Sequence, residues 1–121
     1  MTPQFDSIRL ARDGDLLEIT IDNPRSPLNT VDETLHRELT QLFAWLRGER
    51  DARAAVLTGT ERAFSAGGDF SWFPTLTDTG RLDALRRDAR QMIWDLLDVE
   101  IPIVAALRGP AVGLGASIAL L

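Results

Sequence analysis

The chain has no cysteine, no lysine and no tyrosine, and a single histidine among its 121 residues. Without cysteine, disulfides and thiolate metal sites are excluded. One histidine, His36, cannot assemble a histidine-rich metal site, so no metal is expected. It follows the apolar Leu35 and should lie at the edge of a buried helical stripe, as a structural or surface residue. Without lysine, a phosphate loop of the G-x-x-x-x-G-K-[ST] type cannot be written. Basic residues are also outnumbered: 13 arginines against 18 acids give a net charge of −5. No positive excess is available to displace counterions from a nucleic-acid backbone, so nucleic acid is not an expected partner. The densest basic stretch, "RLDALRRDAR" (Arg81 to Arg90), is interrupted by Asp83 and Asp88. It reads as a solvated helix face or, less simply, as a site for an anionic ligand. No run of eighteen apolar residues is present, so no membrane span is expected. No basic region followed by an apolar run opens the sequence, and the expected compartment is the cytoplasm.

What is present is a 45% hydrophobic chain, long enough for one modest domain with a core. "SIRLARDGDLLEITIDNP" predicts two strands around an Asp13-Gly14-Asp15 turn, because Ile8 and Leu10, then Leu17, Ile19 and Ile21, alternate with polar residues. Two prolines in "NPRSP" end the pattern. Thr30 with Glu33 predicts a capping box. Val31, Leu35, Leu39, Leu42, Phe43 and Leu46 then follow at helical spacing to Gly48. "ARAAVLTG" (Ala52 to Gly59) predicts a short buried strand. An amphipathic helix follows over roughly Leu82 to Leu97, with Leu82, Leu85, Ala89, Met92, Ile93, Leu96 and Leu97 on one face. "IPIVAALRG" predicts a further strand and "GASIALL" the start of a buried helix. Strands alternating with helices imply an α/β fold with parallel strands and helical crossovers.

Two strands run into glycine turns, "AVLTGTERAFSAGGDF" and "IVAALRGPAVGLGAS". In parallel α/β architectures ligands collect where strands end. Glycine there lets the backbone approach a ligand and turn its N–H groups outward. Two such turns can each offer one N–H to a single oxygen. A dinucleotide fingerprint fails, because Gly113-Leu114-Gly115 is followed by Ala116, Ser117 and Ile118 rather than by a third glycine. Tight turns without a ligand are the plainer alternative for each turn taken alone.

"AFSAGGD" followed by "IPIVAALRGPAVGLGASIAL", with "PLNTVDETLHREL" ahead of the first helix, resembles the crotonase family, the enoyl-CoA hydratase/isomerase superfamily. The resemblance runs from the first hairpin to Leu121. It implies a spiral of ββα repeats that binds an acyl-CoA thioester, with no separate cofactor because coenzyme A arrives as part of the substrate. It implies that the thioester oxygen sits between two backbone N–H groups, here those of Gly68 and Leu114. Such donors are preorganised toward developing charge, and the dipole of the helix opening at Gly115 adds to them. The family's CoA-lining positions fall on Leu28 and on Ala66, Gly67, Asp69 and Phe70. Where the family often carries basic residues, this chain has Ser26 and Ser71, and Arg25 is placed to substitute in part. Trp72 and Phe73 are expected either to line the acyl side or to serve in ordinary packing.

In hydratases of this family a glutamate follows the second donor by three residues; here that position is Ser117. Serine without an activating partner is no general base at neutral pH. Isomerisation, thioester hydrolysis, carbon–carbon cleavage and decarboxylation therefore stay open beside hydration. So does a non-catalytic protein that binds acyl-CoA or partner subunits. The family's usual chain is about twice this length, and "ASIALL" lacks a C-cap. Residues 1–121 are accordingly expected to be the N-terminal part of one acyl-CoA-binding domain, with the C-terminal half absent and no activity alone. The resemblance also implies a homotrimer or a hexamer.

Overall fold

A computed structural model describes residues 1–121. Strands β1 (Ile8–Asp13) and β2 (Leu16–Ile21) form the expected hairpin, followed by helix α1 (Glu33–Leu46) and strand β3 (Ala54–Thr58). A 3₁₀ turn (Phe73–Thr75) precedes helix α2 (Thr79–Leu97), strand β4 (Ile103–Ala106) and helix α3 (Leu114–Leu120). The sheet order is β1-β2-β3-β4. The hairpin pair is antiparallel, and β2/β3 and β3/β4 are parallel, with α1 and α2 as the crossovers.

Register puts one row of side chains across the sheet at Leu10, Ile19, Leu57 and Ala105, and the next at Arg12, Leu17, Ala55 and Ile103. Strand side chains alternate between faces, so these rows share one face. Leu17, Ile19, Ala55 and Leu57 are buried on it, as are Leu35, Leu39, Leu42, Phe43 and Leu46 from α1. Burial of each large side chain contributes about 1.5–3 kcal/mol.

Arg12 stands at the edge of that face and meets a buried carboxylate. Its Nη1 and Nη2 donate to Glu49 Oε1 and Oε2 at 3.1 and 2.7 Å. Glu49 Oε1 also accepts the backbone N–H groups of Asp51 and Ala52. Two other buried carboxylates are likewise satisfied. Glu38 accepts the N–H groups of Asp6 and Ser7, and Asp95 accepts from Arg47, the C-cap of α1, and from Gln91 on α2. Each buried acid thus ties two segments together.

Three expectations are corrected. Asp32, not Thr30, caps α1: its side chain accepts the Leu35 N–H at 2.9 Å. Val31 cannot enter the helix because its N–H and C=O both bond the first glycine turn, to Gly67 O and from Asp69 N. Helix α2 starts earlier than Leu82, at Thr79, with Asp78 accepting the Gly80 N–H. The apolar faces of α2 and α3 are only partly covered. Met92, Leu96, Gly115 and Ile118 are buried, whereas Leu97, Leu120 and Leu121 are exposed. Periodicity marks a face able to be buried; it does not supply the surface that covers it.

Two stability predictions follow from these contacts. The Arg12 hydrogen bonds, opposed by burial and aided by the Ala52 and Asp51 N–H groups, lower the Glu49 pKa from 4.5 to about 2. A depressed folded-state pKa adds stability that is fully present above the unfolded value and lost as pH falls through the folded one. Glu49→Gln is expected to cost about 2–3 kcal/mol in urea unfolding at neutral pH. Its deficit relative to the parent should shrink between pH 5 and pH 2, and a pH-independent deficit would contradict the ion pair's role. The second concerns Asn29, buried at φ 51°. Its Nδ2 donates to the carbonyls of Ile21, Ala63 and Phe64, and its Oδ1 accepts the Asn23 N–H. Asn29→Ala removes these bonds, leaves only the Thr60 N–H on the Ala63 carbonyl, and strains the left-handed backbone, an expected loss of about 3–5 kcal/mol. Asn29→Asp, unable to donate to three carbonyls, should be no more stable than Asn29→Ala by the same measurement.

Candidate functional site

The two glycine turns lie against each other. Ser65 and Ala111 form a parallel bridge, in which Val112 N donates to Ser65 O at 2.9 Å and Ser65 N to Pro110 O at 3.2 Å. The first turn is joined on its other side to the segment before α1 through the Val31–Gly68 bridge. Ala66 N donates to Leu28 O at 2.9 Å, so Leu28 and Ala66 are backbone neighbours. These loops extend the parallel sheet beyond the ends of β2, β3 and β4.

Close approach explains the glycines. Gly67 has φ 85°, and a Cβ there would stand 2.7 Å from the Val112 carbonyl oxygen. A Cβ on Gly115 would overlap the Ser65 carbonyl. Ser65 itself is buried; its hydroxyl donates to Asn29 O at 2.8 Å and accepts the Gly67 N–H at 3.2 Å. One serine thereby touches the Asn29 hub and both turns.

Most peptide N–H groups in the first turn are spoken for: Ala66 by Leu28, Gly67 by Ser65 Oγ, Asp69 by Val31. The Gly68 N–H donates to no group in the chain, and neither does the Leu114 N–H. Leu114 is the first residue of α3, where a helix leaves its N–H groups without intrahelical acceptors. Helix α3 has only seven residues, so its dipole is small and the individual N–H groups matter more.

The remaining candidates are distributed as follows. Asp69 shapes its own loop, its Oδ1 accepting from the Ser71 N–H at 2.8 Å and the Ser71 hydroxyl at 2.7 Å. Arg25 is held by Asp32, with Nε to Oδ2 at 2.7 Å, and its Nη2 donates to Ser7 Oγ. Burial alone pushes the Asp32 carboxyl up, but Arg25, the Leu35 N–H and Asn23 together bring it below its ordinary value. A phosphate at Arg25 therefore has to share the guanidinium. The Ser26 hydroxyl accepts the Thr30 N–H at 3.2 Å. Leu28, at 47%, and Phe70, at 84%, are exposed. Ser117 is exposed, and its hydroxyl donates back to Gly113 O at 3.2 Å. Nothing in α3, "LGASIAL", can activate it as a base.

Three features were not visible from residue type. The Phe73 ring lies against Gly68, where a Cβ would overlap it. It stacks on Trp72 with ring centres 6.3 Å apart, and Trp72 faces His36 at 5.8 Å. Asn29 and Ser65, which order the turns, carried only weak signals: asparagine tolerates left-handed backbone, and serine is small.

The profile of the family described as "Enoyl-CoA hydratase/isomerase" matches residues 11–121. An enoyl-CoA hydratase/isomerase from Mycobacterium paratuberculosis superposes with a TM-score of 0.85 at 44% identity, over 93% of this chain and 45% of its own. The Dictyostelium discoideum protein named "Probable enoyl-CoA hydratase, mitochondrial" is 29% identical over 118 residues, 98% of this chain and 41% of that protein. A carnitinyl-CoA dehydratase from Salmonella arizonae is 32% identical over 95% of this chain and 43% of its own. The chain thus spans less than half the length of these relatives. The fold, a mixed α/β crotonase arrangement, is the one the sequence resemblance implied. Residues 11–121 place the chain in the enoyl-CoA hydratase/isomerase family.

Proposed function

We propose that this chain forms the oxyanion-stabilising part of an enzyme that processes acyl-CoA thioesters. The observation that carries the reading is the pair of uncommitted N–H groups, Gly68 and Leu114, on two turns in backbone contact. A thioester oxygen held by both gains negative charge as an enolate or tetrahedral anion develops, and fixed donors stabilise that charge without reorganising. Coenzyme A lies along Leu28 and the Ala66–Phe70 backbone in this reading, with Ser26 and Ser71 replacing basic contacts and Arg25 shared with Asp32. No separate cofactor takes part. Cytoplasmic location and assembly into trimers or hexamers belong to the same proposal.

Ser117 shapes the chemistry. With its hydroxyl turned back to Gly113 O, it supplies no proton, so the acid or base is contributed by residues outside this chain. Hydration, isomerisation and the family's other enolate chemistries share this requirement. The same observation favours the second reading, a non-catalytic acyl-CoA-binding protein. Turnover of any member of an enoyl-CoA panel by the intact protein excludes it, and calorimetric binding without turnover establishes it.

Proline at position 114 tests the donor directly. Proline is well accepted at the first position of a helix, and Gly113 at φ 58°, ψ −125° is not in the α region that a following proline disfavours. Leu114→Pro removes the N–H and is expected to lower kcat/KM by about 10²–10³-fold. Leu114→Ala, which keeps the N–H, should fall by less than about tenfold. Parental turnover in a folded Leu114→Pro protein would rule out the Leu114 donor.

A further inference from the structure

Between α1, α2 and the 3₁₀ turn lies a cleft of about 220 Å³, lined in part by His36 and Trp72. His36 is 93% buried, at 7% exposure, and its ring nitrogens make no hydrogen bond to the protein. Trp72 Nε1 is the one fully buried side-chain nitrogen or oxygen that lacks a partner. The two unpaired His36 nitrogens are therefore not fully covered, and the cleft is the cavity His36 lines. Trp72 lines it as well, and Leu76 and Leu85 add apolar wall. Burial lowers the His36 pKa against the opposing pull of Asp88. The ring is thus neutral at pH 7, with one nitrogen a donor and the other an acceptor.

The cleft is linked to the candidate donor by aromatic rings. Phe73 abuts Gly68 and stacks on Trp72 at an interplanar angle of 27°, and Trp72 reaches His36. A wall therefore runs from the Gly68 turn to an unsatisfied imidazole. The charges at the mouth favour a neutral ligand. Arg81 is paired with Glu33 across α1 and α2 at 3.6 Å, and Glu33 and Asp88 oppose Arg37 and Arg81 among the lining residues. The two acids and two arginines balance, so the lining offers no net charge to an ionic end group. A plain alkyl end displaces water from the His36 nitrogens and offers them no partner, an unfavourable outcome. A hydroxyl, which both donates and accepts, suits either tautomer.

Resting on the acyl-CoA reading above, we propose that this cleft is a specificity subsite for acyl groups whose far end carries a hydroxyl, with His36 as its hydrogen-bonding residue. The side chain of His36 discriminates between substrates and takes no part in the bond-making step.

The test is calorimetry on the intact protein with CoA, with butanoyl-, hexanoyl- and octanoyl-CoA, and with their ω-hydroxy counterparts. At one of these lengths the ω-hydroxy thioester should bind about three- to tenfold more tightly than the alkyl one, the range of one neutral hydrogen bond. His36→Phe should abolish that preference while leaving alkyl binding within about twofold. His36→Gln, which keeps a donor and an acceptor, should retain part of it and guards against a variant that fails to fold. The His36 imidazole signals, assigned by their loss in His36→Phe, should shift with the preferred thioester and not with CoA alone. Equal affinity within every pair, or a preference that survives His36→Phe, overturns the subsite while leaving the acyl-CoA reading intact. Failure of CoA and all six thioesters to bind overturns both.

Discussion

The architecture depends on one buried asparagine and the serine it holds. Asn29 stands in the left-handed region, between the end of β2 and the start of α1. From there its amide donates to carbonyls at Ile21, Ala63 and Phe64, while its own carbonyl receives the Ser65 hydroxyl. Sheet carbonyls beyond the strand ends have no ladder partner, and leaving them buried without one is costly. A single side chain bonds the Ile21 and Phe64 carbonyls and joins the Thr60 N–H on that of Ala63. Having fixed Ser65, it also fixes what Ser65 holds: the Gly67 N–H through the hydroxyl, the Val112 N–H through the carbonyl, and Gly115 by direct packing. The position of two loops far apart in sequence is thus set from a third.

This arrangement explains why the turns can leave two N–H groups uncommitted. A loop held by its side chains alone would be free to rotate peptide planes until every donor found a partner. Here the neighbouring donors are already used, by Leu28, Val31, Ser65 and Val112 among others. Rotation of the Gly68 peptide would break the Val31 bonds on either side of it. The free donors are therefore a consequence of saturation around them, which is what electrostatic preorganisation requires.

Much of the fold was legible because it depends on local pattern. Alternation gave the hairpin, helical spacing gave α1, and the strand–helix order gave parallel pairing. The start of α1 departs from the local pattern because Thr30 and Glu33 satisfy a rule that a tertiary contact overrides: Val31 is pinned to the glycine turn, so the helix begins at Glu33 with Asp32 as cap. Asn29 and Ser65 escaped for a related reason. Their hydrogen bonds span 34 to 36 residues, and no periodicity records such pairs. The glycine turns were legible as turns, and their mutual contact became visible only when Gly67 was seen against Val112. His36 was expected at the edge of a buried stripe, where it lies; its open nitrogens and its Trp72 neighbour depend on a loop folding back over α1.

Ser117 separates what this half of the architecture contributes from what it does not. Helix α3 begins with the Leu114 N–H and contains no ionisable side chain. The residue one turn on directs its hydroxyl into the helix backbone rather than outward. On the proposed function, charge stabilisation and proton transfer therefore reside on different parts of the molecule. Stabilising an anion lowers the barrier to every reaction that passes through it, whatever its proton donor, because only the charge on oxygen is recognised. A donor pair of this kind can be kept unchanged while the acid is moved or replaced. On the function and subsite proposed above, the acyl group accepted and the fate of the enolate are then decided elsewhere: by the cleft at His36 and by the residue that carries the proton.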